Sequence, residues 1–283
     1  MIERLICILS LVIGYGFGLL QMAHIYSKSK NVNIREKGSG NAGTTNMFRV
    51  MGIKAGIITF VGDCLKCVAA VFFTRLVFIT ICGFNINLTA LALYAGFGCI
   101  LGHDFPFFMQ FKGGKGMATT AALLCCLGNA RMIIFGLIIF IAIVLITRYV
   151  SLGSMVTTVC EAIMFIIFTQ VGWFKSDPAW LPDCYIIIIL IAGLLVFQHR
   201  KNIIKLIEHR ETKFYFRTAE QIKEDEAEHR QEQTNARVER VQSRAEKKVD
   251  RVQNRAERIV DKVQGKGEDQ SKKIYRVQNL IND

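Results

Sequence analysis

Residues 132–148 read MIIFGLIIFIAIVLITR, an apolar run that first meets charge at Arg148. As a helix rising 1.5 Å per residue it covers about 25 Å, close to the ~30 Å hydrocarbon core of a bilayer. Large apolar residues fill both parities of the run, so no alternating barrel strand is present and a membrane helix is the reading. Six further apolar runs, 5–24, 54–80, 88–108, 117–130, 152–171 and 184–199, extend it along the chain. The run 117–130 is the weakest, short and rich in small residues (MATTAALLCCLG), and is expected to be broken or buried within the bundle. The predicted fold is all-α: a polytopic membrane helix bundle with seven transmembrane helices over residues 1–207, then a charged helical tail over 208–283. The first run lacks a small-residue cleavage site and reads as a retained span.

Charge is segregated along the 283 residues. Met1–Ile207 carries 17 Lys/Arg against 7 Asp/Glu, whereas the tail from Glu208 carries 18 against 16. A basic, apolar body suits anionic lipid headgroups or phosphorylated substrates rather than nucleic acid. Loop charge also sets orientation. Lys28, Lys30, Arg35, Lys37, Arg49, Lys54, Lys112, Lys115, Arg148, Arg200, Lys201 and Lys205 fall on one side of an alternating seven-span topology. Only Arg4, Arg75, Arg131 and Lys175 fall on the other. The positive-inside rule then predicts an outside N-terminus, with the motif-bearing loops and the tail in the cytoplasm.

The tail repeats every eleven residues. Val238, Val249 and Val260 are in step with Val241, Val252 and Val263, and with Ala245 and Ala256; Gln242, Gln253 and Gln264, and Arg244 and Arg255, accompany them. That spacing favours a slightly right-handed supercoil. A narrow Val/Ala stripe buries little alone, so the readings are self-association, a partner helix, a helix on the headgroups, or a solvated helix. Gly265 and Gly267 end the repeat.

Nearly all nine Cys lie inside apolar runs and read as reduced, buried thiols. Cys64-Leu65-Lys66-Cys67 lacks a second pair or a nearby His, so it does not read as a zinc or redox motif. Asp63 and Lys66 lie three apart on one helical face, a spacing for a buried ion pair or for a snorkelling Lys66, and read as a structural polar anchor.

Four polar segments carry the chemistry. GSGNAGTTNMFR (38–49) contains a literal GxGxxG, but no strand precedes it, which excludes a dinucleotide fold. Its Gly backbone, the side chains of Ser39, Asn41, Thr44, Thr45 and Asn46, and the Arg49 fork nevertheless suit phosphate. GHDFP (102–106) is followed by FKGGKG (111–116), which is no Walker loop because Gly follows Lys115. It brings two cations, Lys112 and Lys115, to a helix N-terminus at 117–120. RYVSLGS (148–154) opens the sixth run with Ser151, a helix cap or a ligand. HRKN (199–202) ends the last run, and His199 beside Asn202 has the types needed for acid/base work or a substrate clamp.

In order and on one face, GSGNAGTTNMFR, GHDFPFFMQFKGGKGMAT, TRYVSLGS and HRKNI resemble the recurring motifs of the bacterial acyl-phosphate:glycerol-3-phosphate acyltransferase family, over residues 1–207. The resemblance implies seven transmembrane helices with an outside N-terminus in the cell membrane. It implies transfer of a fatty acyl group from acyl phosphate to the 1-hydroxyl of glycerol 3-phosphate, giving lysophosphatidic acid and phosphate without a metal or other cofactor. Carried to matching positions, it implies that Ser39, Arg49, Lys115, His199 and Asn202 line the glycerol 3-phosphate and reaction centre, with Ser39, His199 and Asn202 catalytic. Lys112, Gly113, Gly114 and Ser151 would cradle the donor phosphoryl group, while Gly40, Asn41, Thr45 and Asn46 shape the first loop. Cys67 departs from the family pattern, which commonly has Gly there. The resemblance does not reach the tail.

An acyl phosphate is already activated, so the protein must position two anions and stabilise the departing phosphate. Either His199 or a donor phosphate oxygen accepts the hydroxyl proton; a Ser39 acyl-enzyme would lack a visible triad. The His-x4-Asp motif of thioester-using acyltransferases is absent: position 108 is Phe after His103, and position 204 is Ile after His199. A transporter of phosphorylated solutes is the rival reading, but transporters more often show repeated halves and midplane sites.

Overall fold

The computed structural model describes residues 2–251 except 85, 175, 217, 219, 226, 229, 233, 249 and 250. It forms two compact units, Met1–Ile222 and Lys223–Asp283. Among the described residues of the first, nine α-helices follow in order: α1 Ile2–Gly18, α2 Met22–Ser29, α3 Thr44–Arg75, α4 Leu88–Asp104, α5 Met117–Cys126, α6 Ala130–Thr147, α7 Val150–Gln170, α8 Leu181–Gln198 and α9 Arg200–Ile207. A π-helical turn, Leu76–Ile81, extends α3. All seven predicted runs are helical over most of their length, and among the described residues six stretches are long and apolar enough to cross a membrane.

The outer surface is apolar, and polar side chains are buried inside beside an apolar core. Ile134, Leu137, Ile138, Ile141, Leu145 and Ile146 of α6 are exposed, whereas Gln21, Thr59, Asp63, Lys66, His103, Thr119, Thr157, Thr158 and Glu161 are buried. Apolar residues outside and polar ones inside suit a chain whose outer solvent is hydrocarbon.

Glycine decides how α1 meets α4. Gly14 and Gly18 on α1, and Gly98 and Gly102 on α4, are each four residues apart. A Cβ at Gly98 would overlap the Leu11 carbonyl oxygen, and one at Gly102 the Tyr15 carbonyl oxygen. In the other direction, Gly14 abuts the Ala95 carbonyl and Gly18 that of Cys99. The backbones therefore touch directly, as small-x3-small pairs allow between membrane helices.

The run 117–130 differs from the other six. α5 has only 10 residues, about 15 Å, half of a bilayer core. Cys64 Sγ donates to Ala118 O at 3.4 Å near its start, and Arg75 Nη2 to Cys126 O at 3.3 Å at its end. α5 thus runs beside only the distal part of α3, and the Gly-rich loop before it reaches down inside the bundle. A run of small residues permits this because α5 is packed among its neighbours, with Ala118, Thr119, Thr120, Ala122, Leu123 and Leu124 all buried.

Beneath that loop lies the Asp63–Lys66 pair, which forms within the bundle instead of snorkelling. Lys66 Nζ is 2.9 Å from Asp63 Oδ1, donates to Leu20 O at 2.7 Å, and lies 2.8 Å from His103 Nδ1. A buried pair of this kind is unforgiving: removing one partner costs about 3–5 kcal/mol because the other charge is stranded.

The first unit continues past the break expected at residue 207, because residues 211–216 fold back onto the motif-bearing end of the bundle. The second unit is helical through its described residues up to 251, and Val238 and Val241 are exposed on it. Val249, Val252, Gln253, Arg255, Ala256, Val260, Val263, Gln264, Gly265 and Gly267 of the repeat lie outside the described residues.

Candidate active site

The loop from Asn31 to Gly43 is folded around Asn46, one turn into α3. The Asn46 side chain accepts from Ser39 N at 2.8 Å and donates to the carbonyls of Lys37 and Asn41, both at 3.1 Å, and of Ile34 at 3.3 Å. Gly38 and Gly40 take positive φ values of 60° and 70°, which L side chains rarely adopt, and so let the loop turn back. Asn46 is thus spent on holding Ser39 and Asn41 in place. A further positive φ of 82° at Gly52 kinks α3, leaving Thr44–Met51 as a separately aimed first segment.

The glycines of FKGGKG do similar work. Gly113 N donates to Asp104 O and Gly114 N to His103 O, both at 3.0 Å, closing the loop onto the last turn of α4. A Cβ at Gly114 would overlap His103 Nε2. With the loop pinned there, Lys115 points inward, and Gly116 starts α5 from the left-handed region at φ 76°.

These segments surround one cavity of about 490 Å³. Nine of the thirteen residues carried over from the family line it: Ser39, Asn41, Thr45, Asn46, Arg49, Lys115, Ser151, His199 and Asn202, whereas Gly40 turns the loop without lining the cavity. The structure does not bring Lys112, Gly113 or Gly114 to the cavity. Lys112 is exposed, and the two glycines have their N–H groups committed to α4. Residues from the first turns of α3 (Thr44, Thr45), α5 (Met117, Ala118) and α7 (Val150, Ser151) also reach the wall, so three helix N-termini face one space. Their unpaired backbone donors and positive dipole ends favour an anion there.

A polar network closes the inner end. Lys115 Nζ donates to Asn202 Oδ1, and Asn202 Nδ2 donates to Glu211 Oε1 at 2.8 Å. Ser151 Oγ donates to the same Glu211 oxygen at 3.0 Å, and Arg49 Nη2 to Thr212 O at 2.8 Å. Glu211 was not among the residues predicted, since the sequence around it reads as the start of a solvated tail.

Burial sets the protonation states. It draws the Lys115 ammonium down to about 8, which leaves it mainly charged at neutral pH. Burial, with the Lys115 charge adding to it, holds the His199 imidazole down to about 4. His199 Nδ1 is 2.8 Å from Leu195 O. A carbonyl can only accept, so Nδ1 carries the proton and the neutral ring keeps a free lone pair at Nε2.

The opposite wall is apolar. Ile57 and Phe60 of α3 line it together with Phe140, Ile141, Val144 and Leu145 of α6. Ile57, Phe60, Ile141 and Leu145 are also exposed on the outer surface of the bundle. Lining residues that are also exposed put an opening of the cavity on the side of α3 and α6, joining its polar end to an apolar outer flank.

The chain matches known proteins over this same body. A family profile described as "Glycerol-3-phosphate acyltransferase" matches residues 8–209. A glycerol-3-phosphate acyltransferase of Thermoanaerobacter sp. is 33% identical over 207 residues, 73% of this chain and 94% of that protein. One of Bacillus cytotoxicus is 36% identical over 209 residues, 74% and 95% respectively. Among solved structures, the glycerol 3-phosphate form of PlsY (YgiH), an integral membrane glycerol 3-phosphate acyltransferase, superposes with a TM-score of 0.61 at 30% identity. That match covers 74% of this chain and 96% of the solved one. The lysophosphatidic acid form gives 0.60 at 28% identity.

Proposed function

The chain belongs to the glycerol-3-phosphate acyltransferase family, and from that premise we propose that it moves a fatty acyl group from acyl phosphate to the 1-hydroxyl of glycerol 3-phosphate, releasing lysophosphatidic acid and phosphate. The observation that carries this is the single cavity. Arg49, Lys115, Ser151, His199 and Asn202 converge on it from four separate segments, and it opens through an apolar side between α3 and α6. One end fits two phosphates; the other fits a hydrocarbon chain.

Glycerol 3-phosphate sits with its phosphate against Lys115 and Arg49, the planar guanidinium offering paired donors. The donor's phosphoryl group faces the N-termini of α5 and α7, near Ser151. Its chain leaves through the opening between α3 and α6. The acceptor hydroxyl attacks the acyl carbonyl carbon, a C–O ester bond forms, and the bond from that carbon to the phosphate oxygen breaks. The hydroxyl proton passes to His199 Nε2 and then to the leaving phosphate, or goes to that phosphate directly, so protons balance without an external base. Asn202 and Ser39 hold the acceptor in line, and the helix N-termini and Lys115 stabilise charge on the departing phosphate. No acyl-enzyme is required.

Seven crossings are completed by α5 together with the loop that precedes it inside the bundle. The N-terminus then lies outside, and the cavity, with the tail from residue 208, lies at the cytoplasmic face of the cell membrane. The loop charges support that orientation. The tail associates with a second copy or a partner helix through its eleven-residue stripe.

The test uses purified protein with glycerol 3-phosphate and palmitoyl phosphate. Equal amounts of lysophosphatidic acid and phosphate are expected. No product from acyl phosphate, with solute flux across liposomes instead, would overturn the reading in favour of transport.

A further inference from the structure

The family match ends at residue 209, yet the cavity wall does not. Phe214 and Phe216 both line it, and they belong to a strap that runs across its side opening. At one side of that opening, Arg49 of α3 donates to Thr212 O at 2.8 Å. At the other, Phe214 N donates to the carbonyl of Arg148, the residue that ends α6, at 2.8 Å. The strap is therefore tied to both helices that flank the gap.

Its rings complete a triangle with Phe48 of α3. Phe48 and Phe214 are 5.7 Å apart, Phe48 and Phe216 5.9 Å, and Phe214 and Phe216 5.0 Å, all edge-to-face. Phe214 is buried, but Phe216 is 68% exposed, more area than its two ring partners cover. An aromatic side chain left open beside an anion-binding end is spare apolar surface for a ligand. On the acyl-transfer reading, the donor atoms beside these rings are the first methylenes of a chain whose phosphoryl head lies near Ser151, in the same cavity.

We propose that Phe48, Phe214 and Phe216 form an apolar collar that grips the proximal carbons of the donor's acyl chain, making the strap a determinant of donor affinity. The proposal rests on the acyl-transfer reading above. A collar at the proximal carbons reads that a chain is present, not how long it is. It leaves glycerol 3-phosphate untouched.

The experiment measures KM for a series of acyl phosphates from octanoyl to palmitoyl, and separately KM for glycerol 3-phosphate, in the full-length protein and in Phe216→Ala. Loss of one aromatic contact should raise the donor KM about tenfold, by a similar factor at every chain length. The kcat and the glycerol 3-phosphate KM should hold, and Phe216→Leu should restore most of the loss. The exposure of Phe216 makes misfolding of these variants an unsuitable excuse, and the more buried Phe214→Ala serves as a second variant. Unchanged donor KM in Phe216→Ala with an active parent protein overturns the collar alone. So does a penalty that grows steadily with chain length, which would put these rings at the distal carbons. A parent protein inert toward every acyl phosphate overturns the donor reading and the collar with it.

Discussion

Lys115 and His199 must be in opposite protonation states for the proposed chemistry, and burial provides both. The ammonium holds phosphate only while protonated, so kcat/KM should fall as pH rises through about 8. The imidazole offers Nε2 only while neutral, so His199 limits activity only as pH falls through about 4. A pH profile of kcat/KM reports the free enzyme and checks both limbs. Lys115→Arg, whose guanidinium stays charged, should lose the alkaline limb whatever its remaining rate; a limb still at 8 would assign it to another group. His199→Ala should lower kcat by about 10²–10⁴ if it handles the proton, read in a variant that elutes as the parent does. Most of the polar cavity lining was legible because Arg49, Lys115 and His199 are conspicuous residue types at the ends of apolar runs. Glu211 did not, because a single acid in a charged stretch looks solvated until the fold carries it to Ser151 and Asn202. Gly113 and Gly114 were read as phosphate donors, whereas their N–H groups bond α4. Glycine-rich composition cannot distinguish a loop that binds a ligand from one that binds its own helix.

At the level of elements, the contact between α1 and α4 is the one most exposed to mutation. Gly98→Leu would drive a side chain into the Leu11 carbonyl. It should cost at least the ~1–3 kcal/mol of ordinary overpacking, seen as a lower thermal midpoint in detergent. Gly16→Ala on the same α1 meets nothing within 4 Å and should be neutral or slightly stabilising. Equal effects from the two would refute backbone contact as the reason for glycine here. The two glycine pairs were visible in the sequence as small-x3-small spacing, a signal that run length and hydropathy pass over. Span positions were legible from apolar runs alone, since a bilayer sets helix length. The shortness of α5 was legible only as weakness, because a run of small apolar residues does not say where its helix stops.

For the whole molecule, the division into two units predicts separable roles. A chain ending at residue 222 keeps the strap and every cavity residue, so its specific activity in detergent should be within about twofold of the parent, the change expected when nothing near the site is touched. A chain ending at residue 209 loses Glu211 and both strap rings and should be severely impaired. Equal activity in the two truncations would show that residues 211–216 do not belong to the site. The most direct test of the central claim, that separate segments build one anion-holding cavity, is calorimetric titration of glycerol 3-phosphate into the purified protein without donor. Saturable one-to-one binding is predicted, lost in both Arg49→Ala and Lys115→Ala, which lie in different segments yet face the same space. Binding that survives both substitutions would contradict it.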